Sequence, residues 1–165
     1  MSEQGQLKIG EVLVQQGVIS ADQVAEILEA QQTSGRPFGD LAERMFGVKP
    51  EDVEQAWITQ YISYDTEIDL ESQYIDTEVL KVINRRQAWQ FRILPIRQHE
   101  ESGEIVAATS KEFLRRAVNF AWRQMRDPVY FMVTRRPQLE DFLMKHYPWP
   151  GAMDLPVSGD SNSAA

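Results

Sequence analysis

The residue types that most often carry out chemistry are few and scattered in this 165-residue sequence. It has no cysteine, which excludes disulfides and thiolate metal sites. Its two histidines, His99 and His146, lack the spacing of metal ligands, so we expect no metal site. No phosphate-binding loop, dinucleotide fingerprint, zinc-protease motif or nucleophile elbow occurs. These patterns predict a protein with no catalytic residues and no cofactor.

The charged side chains are unevenly distributed along the chain. The formal net charge is −8, yet residues 81–136 hold 12 basic and 5 acidic side chains, with arginine doublets at 85–86, 115–116 and 135–136. Such a segment is either solvated surface or a contact for an anionic ligand, an acidic partner or the acidic N-terminal half. Because no aromatic stacking motif accompanies the arginines, we expect no nucleic-acid binding.

Two segments repeat one pattern at a constant offset of 29 residues, KIGEVLVQQGVISADQVAEILEAQ at 8–31 and PFGDLAERMFGVKPEDVEQAWITQ at 37–60. Gly10 matches Gly39, Val24 matches Val53, and Gln31 matches Gln60. Apolar residues recur at helical spacing, Ser20 and Gln23 have the form of a capping box, and Pro50 marks a helix start. Each copy therefore predicts a helix pair, and the two pairs should pack together because neither buries its apolar face alone.

The rest of the sequence predicts a small α+β unit. We expect an extended connector over 61–76, a helix over 77–89, and strands over 91–96, 104–109 and 129–134, with Pro95 indicating an edge strand. Further helices are predicted over 111–125 and from Pro137 to about residue 147, and residues 148–165 predict a disordered tail. The predicted fold class is α+β, with a duplicated helical subdomain at 1–60 and an α-β-β-α-β-α subdomain at 77–147. No apolar run could span a bilayer and no signal peptide is evident, so we expect a cytoplasmic chain.

The duplicated pattern resembles the N-terminal domain of the type II secretion and type IV pilus assembly ATPases, the GspE N-terminal or MshEN family. The likeness continues through EIDL at 67–70, ILPI at 93–96 and EIVAATS at 104–110, and covers roughly residues 7–147. The resemblance implies a bacterial, non-enzymatic regulatory or docking domain whose partner is a secretion, pilus or envelope-assembly protein. The ATPase lies downstream in those proteins, so we expect this chain to be a freestanding copy of the adaptor domain.

Several members of that family bind cyclic di-GMP through the two motifs, and the resemblance implies the same ligand here. The implied ligand-binding residues are Lys8, Ile9, Gly10, Leu13, Gly17, Val24, Leu28, Gln31, Arg36, Phe38, Gly39, Val53 and Gln60. In such a site the glycines let the backbone approach the ligand, the apolar side chains form a floor for ribose and base, and a glutamine amide can hydrogen-bond a guanine edge.

The second copy departs from the family pattern. Ala42 and Trp57 stand at leucine positions, Phe46 stands at the glycine position, and Thr109-Ser110 replaces the Asp-Pro that commonly follows the second strand. We therefore expect the first copy to dominate any ligand binding. The alternative is a pure protein–protein interaction module of the same fold that has lost the ligand, in which the glycines serve turns or tight packing and the apolar positions form core.

Overall fold

The computed structural model describes residues 9–64, 67–101, 103–149 and 151. Its α-helices and β-strands are α1 Ile9–Gln15, α2 Ala21–Ser34, α3 Phe38–Phe46, α4 Pro50–Tyr64, α5 Arg85–Phe91, β1 Leu94–Gln98, β2 Ile105–Ser110, α6 Leu114–Gln124, β3 Val129–Thr134 and α7 Arg136–His146. Short 3₁₀ helices occur at Leu70–Ser72, Val79–Val82 and Lys111–Phe113. The α+β class and the α-β-β-α-β-α order of the second half are confirmed.

The four N-terminal helices follow the duplication in the sequence. Helices α3 and α4 begin 29 residues after α1 and α2. Ser20 starts α2 with the predicted capping box, in which its Oγ accepts from the Gln23 N–H at 3.2 Å and the Gln23 Oε1 accepts from the Ser20 N–H at 2.8 Å. Equivalent positions are buried, namely Val12, Leu13, Ile19 and Ile27 in the first copy and Leu41, Ala42, Val48 and Ala56 in the second. The two copies therefore contribute matching apolar faces to the core.

The turn inside the second copy is shorter than that of the first, but it still contains a left-handed glycine despite Phe46 at the glycine position. Gly17 follows α1 with a φ of +75°, whereas the second copy uses Gly47, one step later in the repeat, with a φ of +67°. The Gly47 N–H donates to the carbonyl oxygen of Glu43 at 3.0 Å and ends α3. The displaced glycine therefore lengthens α3 and still supplies the left-handed residue that the turn requires.

Two predicted boundaries in the centre of the chain are corrected. Helix α4 continues to Tyr64, so the first four residues of the expected connector are helical. The helix expected over 77–89 is instead a 3₁₀ turn followed by α5. Asn84 separates the two, because its Oδ1 accepts from the Gln87 N–H at 2.8 Å and the Gln87 Oε1 accepts from the Asn84 N–H at 3.0 Å. A second capping box thus starts a new helix where the apolar periodicity alone predicts continuation.

The strand expected over 91–96 begins later, at Leu94. Phe91 is the last residue of α5, and Arg92 ends that helix with a left-handed backbone (φ 51°). Part of the predicted tail also packs on the domain, since Trp149 is partly buried and the Arg85 guanidinium lies 5.5 Å from its ring centre. The disorder predicted for residue 150 and for residues 152–165 lies outside the described residues.

The three strands form one sheet in the order β1-β2-β3. Strand β1 is antiparallel to β2 and carries Pro95 at the sheet edge, as predicted. Strands β2 and β3 are parallel, with Ile105 opposite Val129 and Ser110 opposite Thr134. Helix α6 connects these two strands and packs against the sheet on one side and against α3 and α4 on the other. It therefore joins the duplicated helices to the sheet.

Candidate functional site

A cleft of about 490 Å³ lies between the first helix pair and the loop that joins α6 to β3. The residues that line it are Gly10, Glu11, Val24, Leu28, Gln31, Gln32, Phe38, Glu101, Glu104, Arg126, Asp127 and Pro128. Gly10, Val24, Leu28, Gln31 and Phe38 are among the ligand residues implied by the sequence. The volume lies within the range of small-molecule sites. We call this cavity the first-copy cleft.

The apolar wall of the first-copy cleft depends on a close approach of α1 and α2. A methyl group added at Gly10 would lie 3.0 Å from Val24 Cγ1 and 3.9 Å from Phe38 Cζ. Glycine at this position therefore permits the contact between the two helices. Phe38 is nearly buried, whereas Leu28 is 41% exposed and so offers apolar surface that a ligand could cover.

Gln31 links the cleft wall to two loops. Its Nε2 donates to the carbonyl oxygen of Arg36 at 3.0 Å and also to the carbonyl oxygen of Arg126. A primary amide has two N–H donors and one carbonyl acceptor, so both donors are engaged within the protein. Gln31 can therefore offer a ligand only its Oε1, which would accept a hydrogen bond from an N–H group of a base.

The polar part of the described cleft lining is mainly acidic. Four of its residues are acidic, namely Glu11, Glu101, Glu104 and Asp127, and Arg126 is the single basic residue of the described lining. Glu104 is only 5% exposed. Carboxylates and the Gln31 Oε1 are hydrogen-bond acceptors, so these walls suit a neutral group rich in donors and disfavour a buried phosphate.

The corresponding face of the second copy is covered by α6. A methyl group added at Gly39 would lie 2.2 Å from the carbonyl oxygen of Trp122 and 2.4 Å from atoms of its ring. The Trp122 Nε1 donates to Glu43 at 3.0 Å, and the rings of Phe38 and Trp122 meet edge to face at 5.8 Å. Val53 is 1% exposed. The structure thus gives Gly39 and Val53 packing roles and does not bring them to the first-copy cleft.

Arginines of α6 also contribute to the contact between α6 and the second copy. The Arg115 Nε lies 3.2 Å from Glu54 Oε2, and the Asn119 amide also donates to Glu54. The Arg123 Nε lies 3.9 Å from the carboxylate of Glu43. Part of the basic segment therefore faces the acidic N-terminal half, which was one of the alternatives open from the sequence.

The remaining implied residues lie away from the cleft or outside the described part. Leu13 is fully buried in the core, and Gly17 forms the turn after α1. Arg36 lies on the surface and pairs with Asp40 at 3.2 Å; hydrogen bonds from Arg44 and then Arg36 lower the pKa of that carboxyl. Lys8 and the side chains of Ile9, Trp57 and Gln60 lie outside the described residues.

A sequence model of the MshEN domain matches residues 61–152. The chain belongs to the MshEN domain family. The matched range begins after the two copies and contains the sheet and α6. The resemblance inferred from the sequence is therefore confirmed.

Two solved structures are similar to this MshEN domain. The structure of MshE with cdg, cyclic di-GMP, is 21% identical, with 86% of this chain and 99% of that chain covered and a TM-score of 0.42. The N-terminal domain of XpsE is 18% identical, with coverage of 87% and 95% and a TM-score of 0.37. No curated protein matches the chain.

The sequence did not predict the second wall of the first-copy cleft. Glu101 lies in the β1–β2 turn, Glu104 directly precedes β2, and Arg126 and Asp127 follow α6. These residues lie outside the duplicated pattern, and no local signal pairs them with the first copy. Ser110, one of the two positions of the family departure, is fully buried at the end of β2 and does not line the first-copy cleft.

Other features of the described residues do not involve the implied site. A larger groove of about 880 Å³ lies between residues 67–71 and the start of α7, and none of the implied ligand residues lines it. Over the described ranges there is no cluster of three histidine, aspartate or glutamate side chains that could hold a metal ion. In the same ranges, no helix combines the length and apolar character needed to cross a bilayer.

Proposed function

We propose that this MshEN domain is a non-enzymatic regulatory and adaptor module that binds cyclic di-GMP in the first-copy cleft. The observation that supports the proposal is the convergence of Gly10, Val24, Leu28, Gln31 and Phe38 on one cavity. These residues come from the two duplicated segments, for which the family resemblance implies this ligand. The partner is a bacterial secretion, pilus or envelope-assembly protein, and the setting is the cytoplasm.

The cleft chemistry indicates how the ligand would lie. A guanine ring would contact the apolar side chains of Val24, Leu28 and Phe38. Its N–H groups would donate to the acceptors of the wall, among them the Gln31 Oε1 and the carboxylate of Asp127. The phosphates would remain near the mouth, where Arg126 is exposed.

The position of the cleft supports a regulatory role. One wall belongs to the first helix pair and the other to the loops at the end of the sheet, and Gln31 connects the two. A ligand that contacts both walls would favour the arrangement in which they are close together. Occupancy of the cleft would then change the surface offered to a protein partner.

Isothermal titration calorimetry of the full chain tests the proposal, with cyclic di-AMP as the ligand control. Leu28→Asp and Met45→Asp form a matched pair, because both side chains are helical, apolar and about equally exposed (41% and 40%), while Leu28 alone lines the cleft. We expect cyclic di-GMP to bind, Leu28→Asp to weaken binding at least about tenfold, and Met45→Asp to change it less than about twofold. Chromatography of the ligand after incubation should recover it unchanged.

An interaction module without a ligand is the second candidate. It is favoured by the acidic lining of the cleft, whose described residues include four with carboxyl side chains and one arginine. The absence of binding heat at about 200 μM cyclic di-GMP, well above the micromolar affinity of a useful sensor, would refute the first proposal and leave this second one.

A further inference from the structure

The acidic side chains of the first-copy cleft are not balanced by basic side chains of the described residues. The described lining has four acidic residues and one arginine, Arg126. Glu11 and Glu101 are exposed, and in the part of the chain that the structure describes neither of them forms an ion pair. Carboxylates in a cleft raise the local concentration of cations, because the low-dielectric walls focus their field. The cleft therefore attracts a basic group.

The acids of the second copy are balanced by a packed neighbour. The Glu54 Oε2 lies 3.2 Å from the Nε of Arg115, and the Glu43 Oε2 lies 3.9 Å from the Nε of Arg123. Both arginines belong to α6, the helix that packs on the second copy. Among the described elements, only Arg126 brings a basic side chain to the lining of the first-copy cleft. A partner that covers the first copy would therefore have to supply basic side chains of its own.

Apolar surface lies beside these acids. Leu28 is 41% exposed and Val24 is half-buried, and both line the cleft. Helix α2 contains no basic residue, and its Asp22, Glu26 and Glu29 are exposed. A partner segment that places an apolar side chain on Leu28 and lysine or arginine beside the carboxylates would match both features.

We propose that the first-copy cleft also docks a basic, partly apolar segment of a protein partner, and that cyclic di-GMP displaces this segment. The displacement rests on the proposed function. Both occupants would cover Val24 and Leu28 in one cavity of about 490 Å³, so they cannot bind together. Cyclic di-GMP then acts as a signal that releases the partner from the domain.

Selection from a phage library of random short peptides tests the docking chemistry with the full, unmodified chain. We expect the recovered peptides to carry an excess of lysine and arginine and at least one large apolar residue. Fluorescence anisotropy of a labelled recovered peptide measures its affinity. That affinity should fall as the salt concentration rises from about 50 to 300 mM, because salt screens exposed ion pairs. Recovery of no peptide, or of peptides without a basic excess, would refute the inference.

Two matched pairs of variants locate the bound peptide. Glu101→Lys and Glu100→Lys make the same charge change at exposed neighbours in the β1–β2 turn, but only Glu101 lines the cleft. Glu101→Lys should weaken peptide binding about fivefold, and Glu100→Lys less than about twofold. Leu28→Ala should weaken the peptide and cyclic di-GMP about threefold or more, whereas Met45→Ala, about equally exposed outside the cleft, should change neither. Equal effects within either pair would place the peptide elsewhere and contradict the inference.

Addition of cyclic di-GMP to the complex with the labelled peptide tests the displacement. We expect the anisotropy to fall to that of the free peptide, and cyclic di-AMP to leave it unchanged. If calorimetry shows that cyclic di-GMP binds while the peptide stays bound, the displacement is wrong and the proposed function stands. If calorimetry shows no binding of cyclic di-GMP, the proposed function is wrong, and the displacement is wrong with it.

Discussion

The contact between Gly39 and Trp122 predicts a change in the free energy of unfolding whose magnitude can be worked out from the structure. A helical glycine replaced by alanine normally gains about 1 kcal/mol of stability. At Gly39 the added methyl would lie 2.2 Å from the Trp122 carbonyl oxygen, a backbone atom that cannot rotate away. Overpacking of this kind costs about 1 to 3 kcal/mol, and the upper end applies because the overlap exceeds 1 Å. We therefore expect Gly39→Ala to lower the free energy of unfolding by about 2 kcal/mol.

Gly10→Ala is the matched control, because it changes the equivalent residue of the other copy. The methyl would lie 3.0 Å from Val24 Cγ1, a side-chain atom that can move by a few tenths of an ångström. The gain in helix propensity should offset that strain, so the free energy of unfolding should change by less than about 1 kcal/mol.

Urea unfolding followed by tryptophan fluorescence and circular dichroism measures both Gly→Ala variants. The expected difference of about 2 kcal/mol corresponds to a melting-temperature difference of about 4 to 8 °C for a chain of this length. Free energies of unfolding of Gly39→Ala and Gly10→Ala that agree within about 0.5 kcal/mol would refute the packing argument, since the steric environments would then be equivalent.

Three further predictions concern other contacts. Glu140→Gln should lower the free energy of unfolding by about 3 kcal/mol in urea titrations, because the fully buried Arg92, whose Nε lies 3.1 Å from Glu140, loses its counter-ion. Tyr147 donates to the Leu80 carbonyl oxygen at 2.5 Å, and burial raises the pKa of its phenol. The stabilising contribution of Tyr147 should be complete below the pKa of an unfolded tyrosine, about 10, and should be lost as the pH rises above that value. Unfolding after a pH jump measures this loss, and absorbance at about 295 nm follows the ionisation of the phenol. Tyr147→Phe is the control. Gln31→Ala removes two hydrogen bonds and should lower the melting temperature by about 4 to 8 °C in thermal scans without ligand.

Local sequence signals predicted the elements whose boundaries depend on nearby residues. The capping box at Ser20 and the run of β-formers at 129–134 correctly placed the start of α2 and the whole of β3. The break before α5 was missed because Val79, Leu80 and Ile83 continue a helical period across it, while the Asn84 cap interrupts the backbone.

Only one wall of the candidate site could be predicted from the sequence. The reason differs from that for the missed helix break. The first helix pair and Phe38 of α3 supply one wall, and these residues all lie within the duplicated segments. Arg126 and Asp127 reach the other wall through the path of the chain around the sheet, which no local pattern encodes. Gly10 and Gly39 are indistinguishable in the repeat, and only the position of α6 gives them different neighbours.

The covering of one copy by α6 has a consequence for how the two copies can diverge. The second copy is constrained by a neighbour in its own chain, so a change at Gly39 can be compensated by a change at Trp122 within the same gene. Under the proposed function, the first copy is instead constrained by a ligand, which cannot change in response. Substitutions in the second copy would therefore occur in compensating pairs. A substitution around Gly10 would instead weaken binding of the proposed ligand. Under that function, the duplication separates a half that adjusts to its own chain from a half that is held fixed by its ligand.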